Sequence, residues 1–400
     1  MANMHSDIAV TNLSESLSGQ HLDVIVSGSI GAIESVRLIR ALRRLGATVT
    51  PWLTEGGAQF ITPMALAWAA GNPTITQFQG HASHVETHDG CVIAPASANF
   101  ISRMIHGRTE TPSAAIVTSY LGAGKPVSAL PSMHDSLAQA PAVRTNLETL
   151  KTWGVRLLEP RLEEGKHKMP LPEILADEIS HFQNTFQKER VHRVMITLGG
   201  TKSQIDDVRY LGNYSTGSLG SKIAEECYRW GFATSIIAGT RQTQPKVYTD
   251  FTSAETYDEM KNACLTTAKD NISAAIMCAA VLDFQPKARI YGKVKSTSVA
   301  DPIELEPTPK IIEHIAPKPQ IFVTFKLESE ISEDACKSIA SAYQHRVGST
   351  MVVLNGVKEV SATKHLAYLV DCKNDHKVIK IEGKYEISKE IVRHLRTNLP

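Results

Sequence analysis

Residues 22–53, LDVIVSGSIGAIESVRLIRALRRLGATVTPWL, decide the fold. A β-branched run ends at a glycine-rich turn, a helix-periodic stretch follows, and a second β-branched run closes the segment, which predicts strand, turn, helix and strand. Within the helix Ile33, Val36, Ile39 and Leu42 form the apolar face, Arg37, Arg40 and Arg44 share another, and Gly46 supplies the stop. Short apolar runs recur at CVIAP, KPVSALP and VRLLEP with helix-compatible stretches between them. Such alternation predicts a mainly parallel sheet covered by helices.

The pattern begins again after a polar helical stretch, ADEISHFQNTFQKERVH (residues 176–192), which places a domain boundary near residue 188. Strand RVMITLGG, helix TGSLGSKIAEECYRWG, strand FATSIIAG, helix AETYDEMKNACLTTAKD and strand SAAIMCAA follow in order. IFVTFKL and TMVVLN read as further buried strands, HLAYLVD and KVIKIEGKYEI as an edge hairpin, and EISKEIVRHLRTNL as a closing helix. The sequence thus predicts α/β architecture in two tandem, doubly wound, Rossmann-like domains, residues 21–188 and 189–400, behind a disordered tail at residues 1–20.

Charge excludes some partners. The 42 Lys and Arg against 41 Asp and Glu leave no basic footprint for nucleic acid or for a membrane surface. No apolar run approaches the roughly 20 residues that span a bilayer, and the first residues lack a signal peptide's pattern, so a cytoplasmic enzyme acting on small molecules is expected. The six cysteines form no C-x-x-C pair, and no zinc or disulfide framework is signalled. Neither half carries G-x-G-x-x-G followed by an acidic ribose ligand, which argues against a nicotinamide oxidoreductase.

In open α/β sheets ligands collect at the carboxyl ends of strands, where helix N-termini offer free N–H groups to anions. Gly199, Gly200 and Thr201 follow the first strand of the second domain, and Asn213, Ser215, Thr216 and Gly217 precede its first helix. Taken alone, either loop is ordinary strand-end glycine and helix-cap chemistry. Together, GGTKSQIDDVRYLGNYSTGSLG (199–220), CAAVLDFQP (278–286), GKVKS (292–296) and VTFKLES (323–329) resemble phosphopantothenoylcysteine synthetase, the ligase half of the bifunctional CoaBC family. The likeness covers residues 192–396.

That resemblance implies activation of the 4'-phosphopantothenate carboxylate by CTP or ATP, with Mg2+ on the phosphates, then capture of the acyl-nucleotide by the amine of cysteine. It assigns Asn213 to the intermediate, Lys293 to its formation, Arg209 to positioning, and Asp283 to the base and the metal. Gly199, Gly200, Thr201, Ser215, Thr216, Gly217, Ala280, Lys295 and Phe325 complete the expected substrate and nucleotide contacts. Ser218 stands where a Lys is common.

In the first domain SGSIGAIES (27–35), TEGGAQFITP (54–63) and IAPASANFISRM (93–104) resemble the flavodoxin-like, homo-oligomeric flavin-containing cysteine decarboxylases, which bind FMN. The likeness assigns Gly28, Ser29, Gly31, Thr54, Ser97 and Asn99 to FMN, His84 to catalysis and His134, in PSMH, to substrate. The Cys often present in the family's flap is missing from RLEEGKHKMPLPEIL (161–175), which looks shortened, and Asn is commoner than His at position 134. Two readings stay open: a bifunctional enzyme, or a ligase joined to a flavin-fold scaffold with impaired decarboxylation. Homo-oligomers are implied, trimers through the flavin domain and dimers through the ligase domain.

Overall fold

The computed structural model describes residues 7–164, 166–293, 302–329, 331–359 and 365–400, with only the backbone of Lys166 and His167. Among them no helix is long and apolar enough to cross a membrane. The chain divides into two compact units, Met1–Lys188 with Arg229–Gly231, and Glu189–Tyr228 with Phe232–Pro400.

The first unit runs β1 (His21–Val26), α1 (Ser35–Arg44), β2 (Thr48–Leu53), α2 (Pro63–Ala70), β3 (Gly90–Ala96), α3 (Ala98–Ile105), α4 (Pro112–Gly122) and β4 (Val127–Pro131). It continues through α5 (Asp135–Ala138), α6 (Pro141–Thr152), β5 (Arg156–Leu157), a small hairpin of β6 (Arg161–Glu163) and β7 (Lys166–Lys168), and α7 (Pro172–Thr185). Its parallel sheet has the order β2-β1-β3-β4-β5. Every residue of β3 is buried, as a central parallel strand covered on both faces requires. The chain order reverses between β1 and β3, and there the loops leaving the two strands part to open a crevice.

Two expectations for this unit need correction. The tail expected over residues 1–20 is already held at Ile8 and Ala9, whose carbonyls accept from Arg43 and Arg40 at 2.9 and 3.0 Å; Leu13 N and Leu17 N donate to Arg44 O and Leu45 O, both at 2.8 Å, and Leu17 is fully buried. Ile33, expected on the inner face of α1, is 49% exposed because Ile30–Glu34 form a separate 3-10 turn, whereas Ile39 and Leu42 are buried as expected, joined in the core by Leu38 and Ala41.

The second unit contains β8 (Arg193–Leu198), the short pair β9 (Lys202–Gln204) and β10 (Tyr210–Gly212), α8 (Ser218–Arg229), β11 (Ala233–Ala238), β12 (Asp250–Ser253), α9 (Tyr257–Ala268) and β13 (Ala274–Met277). Next come the pair β14 (Phe284–Pro286) and β15 (Leu305–Pro307), α10 (Ile311–His314), β16 (Ile321–Glu328), α11 (Glu333–Val347) and β17 (Met351–Gly356). The antiparallel β18 (Leu366–Asp371) and β19 (Lys377–Glu382), then α12 (Lys384–Asn398), finish the chain. The sheet order is β12-β11-β8-β13-β16-β17-β18-β19, parallel through β17. Its switch point lies between β8 and β13. The two units are therefore doubly wound sheets of the Rossmann-like class, each with one crevice set by topology.

Candidate active sites

Hydroxyl groups line the crevice of the first unit. Ser27 Oγ donates to Pro95 O and accepts from Ser97 N, both at 2.8 Å, so the loops after β1 and β3 are stitched together. Ser29 caps the 3-10 turn that leads into α1, accepting from Gly31 N at 3.3 Å, and shares a 2.8 Å hydrogen bond with Ser132 Oγ beyond β4. Ser97 caps α3 by accepting from Phe100 N at 3.4 Å, and Thr54 Oγ1 accepts from Gly57 N at 3.0 Å. A Cβ on Gly28 would stand 3.0 Å from the Gly56 backbone, so the loops after β1 and β2 approach main chain to main chain.

Two helical N-termini and their capping hydroxyls thus face one edge, the arrangement that holds a phosphate. Exposed Asn99 in the first turn of α3 and exposed His134, two residues past Ser132, share that edge. Ile30 (66% exposed), Phe60 and Met64 offer apolar surface on the segments after β1 and β2. This combination fits a phosphorylated ring system. His84 is half-buried in a 3-10 turn packed against α4, edge-on to the Phe78 ring at 5.0 Å. Its Nδ1 is buried without a hydrogen-bond partner among the described residues, and none of its described contacts reaches Ser27, Ser29 or Ser97.

In the second unit three strand-end loops are bonded to one another. Gly200 N donates to Thr240 O at 2.9 Å, Ala280 N to Gly199 O at 2.8 Å, and Thr201 N to Ala280 O at 3.2 Å. Gly199 has φ +79°, and a Cβ there would lie 2.5 Å from Thr240 O, so glycine is needed for this closure. Fully buried Thr201 accepts from Leu282 N at 2.9 Å through its hydroxyl, and Thr197 Oγ1 accepts from Ala279 N at 3.1 Å. Two threonines of the first strand and its loop therefore set the loop after β13.

Asn213 is exposed and donates from Nδ2 to Ala280 O and Val281 O, each at 3.2 Å. Gln242 N and Thr243 N donate to Thr216 O, bringing Ser215, Thr216 and Gly217 against the loop after β11. Phe325 is half-buried one residue beyond the Met277–Thr324 pair, at the same edge of the sheet. Asn213, Ala280 and the glycine-threonine loops are thus gathered around the β8/β13 crevice.

The charged candidates are held by partners that the motif reading left out. Arg209 Nε donates to Asp206 Oδ2 at 2.9 Å, and the Asp206 carboxylate is buried. Asp283 pairs with Lys310. Lys293 is exposed and follows Gly292, whose N–H donates to Asp207 Oδ2 at 3.0 Å, so its segment starts against the Arg209 loop. Arg289 and that amide hold the Asp207 carboxyl below its usual range. Lys295 lies outside the described residues.

Sequence reasoning also missed Arg241, whose Cβ would be 3.1 Å from a Cβ at Gly217, next to the α8 N-terminus. Its guanidinium donates to Gly239 O at 2.9 Å and lies over the Phe251 ring at 4.8 Å, while Nε is buried with no hydrogen-bond partner among the described residues. A cation two residues after a strand-ending glycine was the available signal.

Comparisons with known proteins agree with this arrangement. The flavoprotein family model matches residues 10–184, and the DNA/pantothenate metabolism flavoprotein C-terminal domain model matches residues 190–399. The coenzyme A biosynthesis bifunctional protein CoaBC of Thermococcus kodakarensis is 34% identical over 92% of this chain and 92% of its own length. Its namesake from Haemophilus influenzae is 30% identical over 95% of this chain and 98% of its own. A cysteine/cysteine sulfinic acid decarboxylase from an unknown prokaryotic organism is 30% identical over 84% and 99%. With both domain models in tandem over nearly the whole chain, this protein belongs to the bifunctional CoaBC family of coenzyme A biosynthesis.

Proposed function

We propose that the second unit joins cysteine to 4'-phosphopantothenate at the expense of CTP, and that the first unit decarboxylates the product to 4'-phosphopantetheine with FMN. The observation that carries the reading is the convergence of Asn213, Ala280, Thr201 and the Gly217 loop on the β8/β13 crevice. In the first step the carboxylate attacks the α-phosphorus, pyrophosphate leaves, and an acyl-CMP forms. The cysteine amine then attacks the acyl carbon and CMP departs with the electron pair. Asn213 Nδ2, which bonds Ala280 O and Val281 O, would exchange one of these carbonyls for the developing oxyanion and donate to it without titrating. Lys293 would offset charge on the triphosphate, and Arg209 would position the phosphorylated substrate.

Asp283, paired here with Lys310, would hold the Mg2+ that accompanies the triphosphate, an ion that would offset the charge of the departing pyrophosphate. CTP is the nucleotide implied by the family resemblance. Pyrophosphate release measured with CTP and with ATP at equal concentration tests this choice, and equal or better turnover with ATP overturns it.

Ser29, Ser97, Gly28, Gly31 and Thr54 would hold the FMN phosphate and its neighbourhood, with Asn99 and His134 beside it. When bound, FMN supplies the two-electron oxidation of the cysteinyl thiol that makes carbon dioxide a leaving group, and returns those electrons afterwards. His84 is assigned to proton handling. No thiol of the first unit is poised to assist: its one cysteine, Cys91, is fully buried in β3, and burial pushes that thiol well above its ordinary value.

The same absence of a reactive thiol from the first unit favours a second reading in which that unit only scaffolds the ligase. Carbon dioxide release from 4'-phosphopantothenoylcysteine by the FMN-loaded protein separates the two. Release supports the bifunctional enzyme, and a ligase-active preparation that yields none supports the scaffold. Trimers through the first unit and dimers through the second complete the proposal, to be tested by native mass spectrometry.

A further inference from the structure

The opposite, N-terminal edge of the first unit's sheet carries a polar cluster that the proposed reactions leave unused. Asp23 of β1 is fully buried. Trp52 Nε1 donates to its Oδ1 at 2.8 Å, Tyr120 OH donates to Oδ2 at 2.6 Å, and His88 Nδ1 lies 2.9 Å from the same Oδ2. The His88 ring stacks on His21 with centroids 3.6 Å apart and planes at 23°. His21 Nε2 is 2.8 Å from Thr50 Oγ1, and both imidazoles are partly exposed. One donor atom from each of His21, Asp23 and His88 lies within 4.8 Å of the others.

We propose that His21, Asp23 and His88 bind a divalent transition-metal ion of the zinc class, with further coordination positions open to water. Two imidazoles and one carboxylate are a borderline donor set that suits Zn2+, Co2+ or Ni2+ better than Mg2+ or Ca2+. Ligands about 2.1 Å from one ion at right angles stand about 3 Å apart. The 2.9 Å spacing of His88 and Asp23 therefore suits an ion in place of the hydrogen they otherwise share. His21 is held by one side-chain hydrogen bond, to Thr50, and turns to complete the set.

Trp52 and Tyr120 occupy the outer lone pairs of the carboxylate and fix its direction, as outer-shell donors do in metal sites. Lys125 Nζ donates to Thr87 O at 2.9 Å and His88 O at 2.7 Å, anchoring the segment that carries His88. A hydrogen-bonded clamp alone gives no purpose to His21, which makes no hydrogen bond to Asp23 among the described residues and yet faces the His88 ring. Burial and the neighbouring His88 hold His21 below its ordinary value, while the hydrogen bond to Asp23 raises His88.

Untagged full-length protein, stripped with a chelator and titrated with Co2+, tests the site through the visible d–d bands. One Co2+ per chain, displaced by Zn2+, is expected, and His21→Gln or His88→Gln weakens binding at least about tenfold with unchanged far-ultraviolet circular dichroism. His21→Gln leaves all three bonds to Asp23 in place, so it decides the matter even where His88→Gln fails to fold. The absence of saturable Co2+ binding, or the same affinity in wild type and His21→Gln, overturns the proposal. Neither outcome depends on the ligase or decarboxylase assignment.

Discussion

Thr201→Val separates the geometry of the second crevice from its chemistry. The two side chains have nearly the same shape, Thr201 is fully buried, and its hydroxyl makes one consequential contact, accepting from Leu282 N at 2.9 Å. Valine leaves that buried N–H without an acceptor, which costs about 1–3 kcal/mol. Because the loss falls on the loop carrying Ala280 and Asp283, it is felt first as local opening. Exchange of the Leu282 amide should accelerate about 5- to 150-fold, the factor that corresponds to 1–3 kcal/mol. Hydrogen exchange of a peptide spanning residues 279–284 measures this, with a β3 peptide of the first unit as internal control. Ligase kcat/KM should fall in parallel while bound flavin absorbance stays constant. Unchanged exchange at Leu282 would refute the claim that the Thr201 hydroxyl sets this loop.

Three further outcomes are expected. Asn213→Asp places a carboxylate against Ala280 O and Val281 O in place of a donor, and ligase kcat/KM should drop about 100-fold or more, measured as pyrophosphate release, with the far-ultraviolet circular dichroism of the folded protein retained. Arg241→Ala removes the cation beside Gly217, so the KM for nucleotide should rise roughly tenfold at unchanged flavin content; an unaltered KM removes Arg241 from the site. Burial holds the His365 imidazole down to about 4 from its ordinary 6.5. The unfolded chain takes up that proton first on acidification, so this contribution is complete above about pH 6.5 and falls by roughly 3 kcal/mol toward pH 4. His365→Gln should flatten that fall, and identical pH slopes in thermal melts of both proteins count against it.

Much of this architecture is legible because buried parallel strands are contiguous apolar runs: CVIAP and SAAIM could be read without context, and each became a central strand. The loops at their carboxyl ends were legible for the same reason. Packing that depends on distant partners was not. The segment 7–20 reads as a polar tail, yet Ser14 and Ser16 are buried and Ser16 Oγ shares a 2.7 Å hydrogen bond with Ser180 Oγ, 164 residues away in sequence. The ion pair of Asp283 with Lys310 leaves no local trace either, since 27 residues separate them. Ile33 misled for a different reason: the periodicity is helical, but the turn before α1 is 3-10, which rotates that side chain out of register.

The two crevices solve one topological problem with different chemistry, and the difference matches what each must hold. Around β1 and β3 the described partners are hydroxyls and main-chain amides, with Ser27, Ser29, Thr54 and Ser97 bonded to one another or to backbone. Such a site is rigid and uncharged, suited to a phosphate that stays in place through many turnovers. Around β8 and β13 the fixed elements are again backbone and threonine, but two of the assigned charges wait in ion pairs, Arg209 with Asp206 and Asp283 with Lys310. On the proposed reading, an arriving triphosphate with its magnesium would exchange partners in such pairs rather than meet bare charge, which would lower the cost of binding highly charged groups and of releasing pyrophosphate afterwards. Lys310→Met should therefore leave Asp283 unbalanced and slow product release more than it weakens nucleotide binding. Pre-steady-state bursts of pyrophosphate are the readout, and a variant with wild-type burst amplitude and steady rate would show that the Asp283 pair takes no part in turnover.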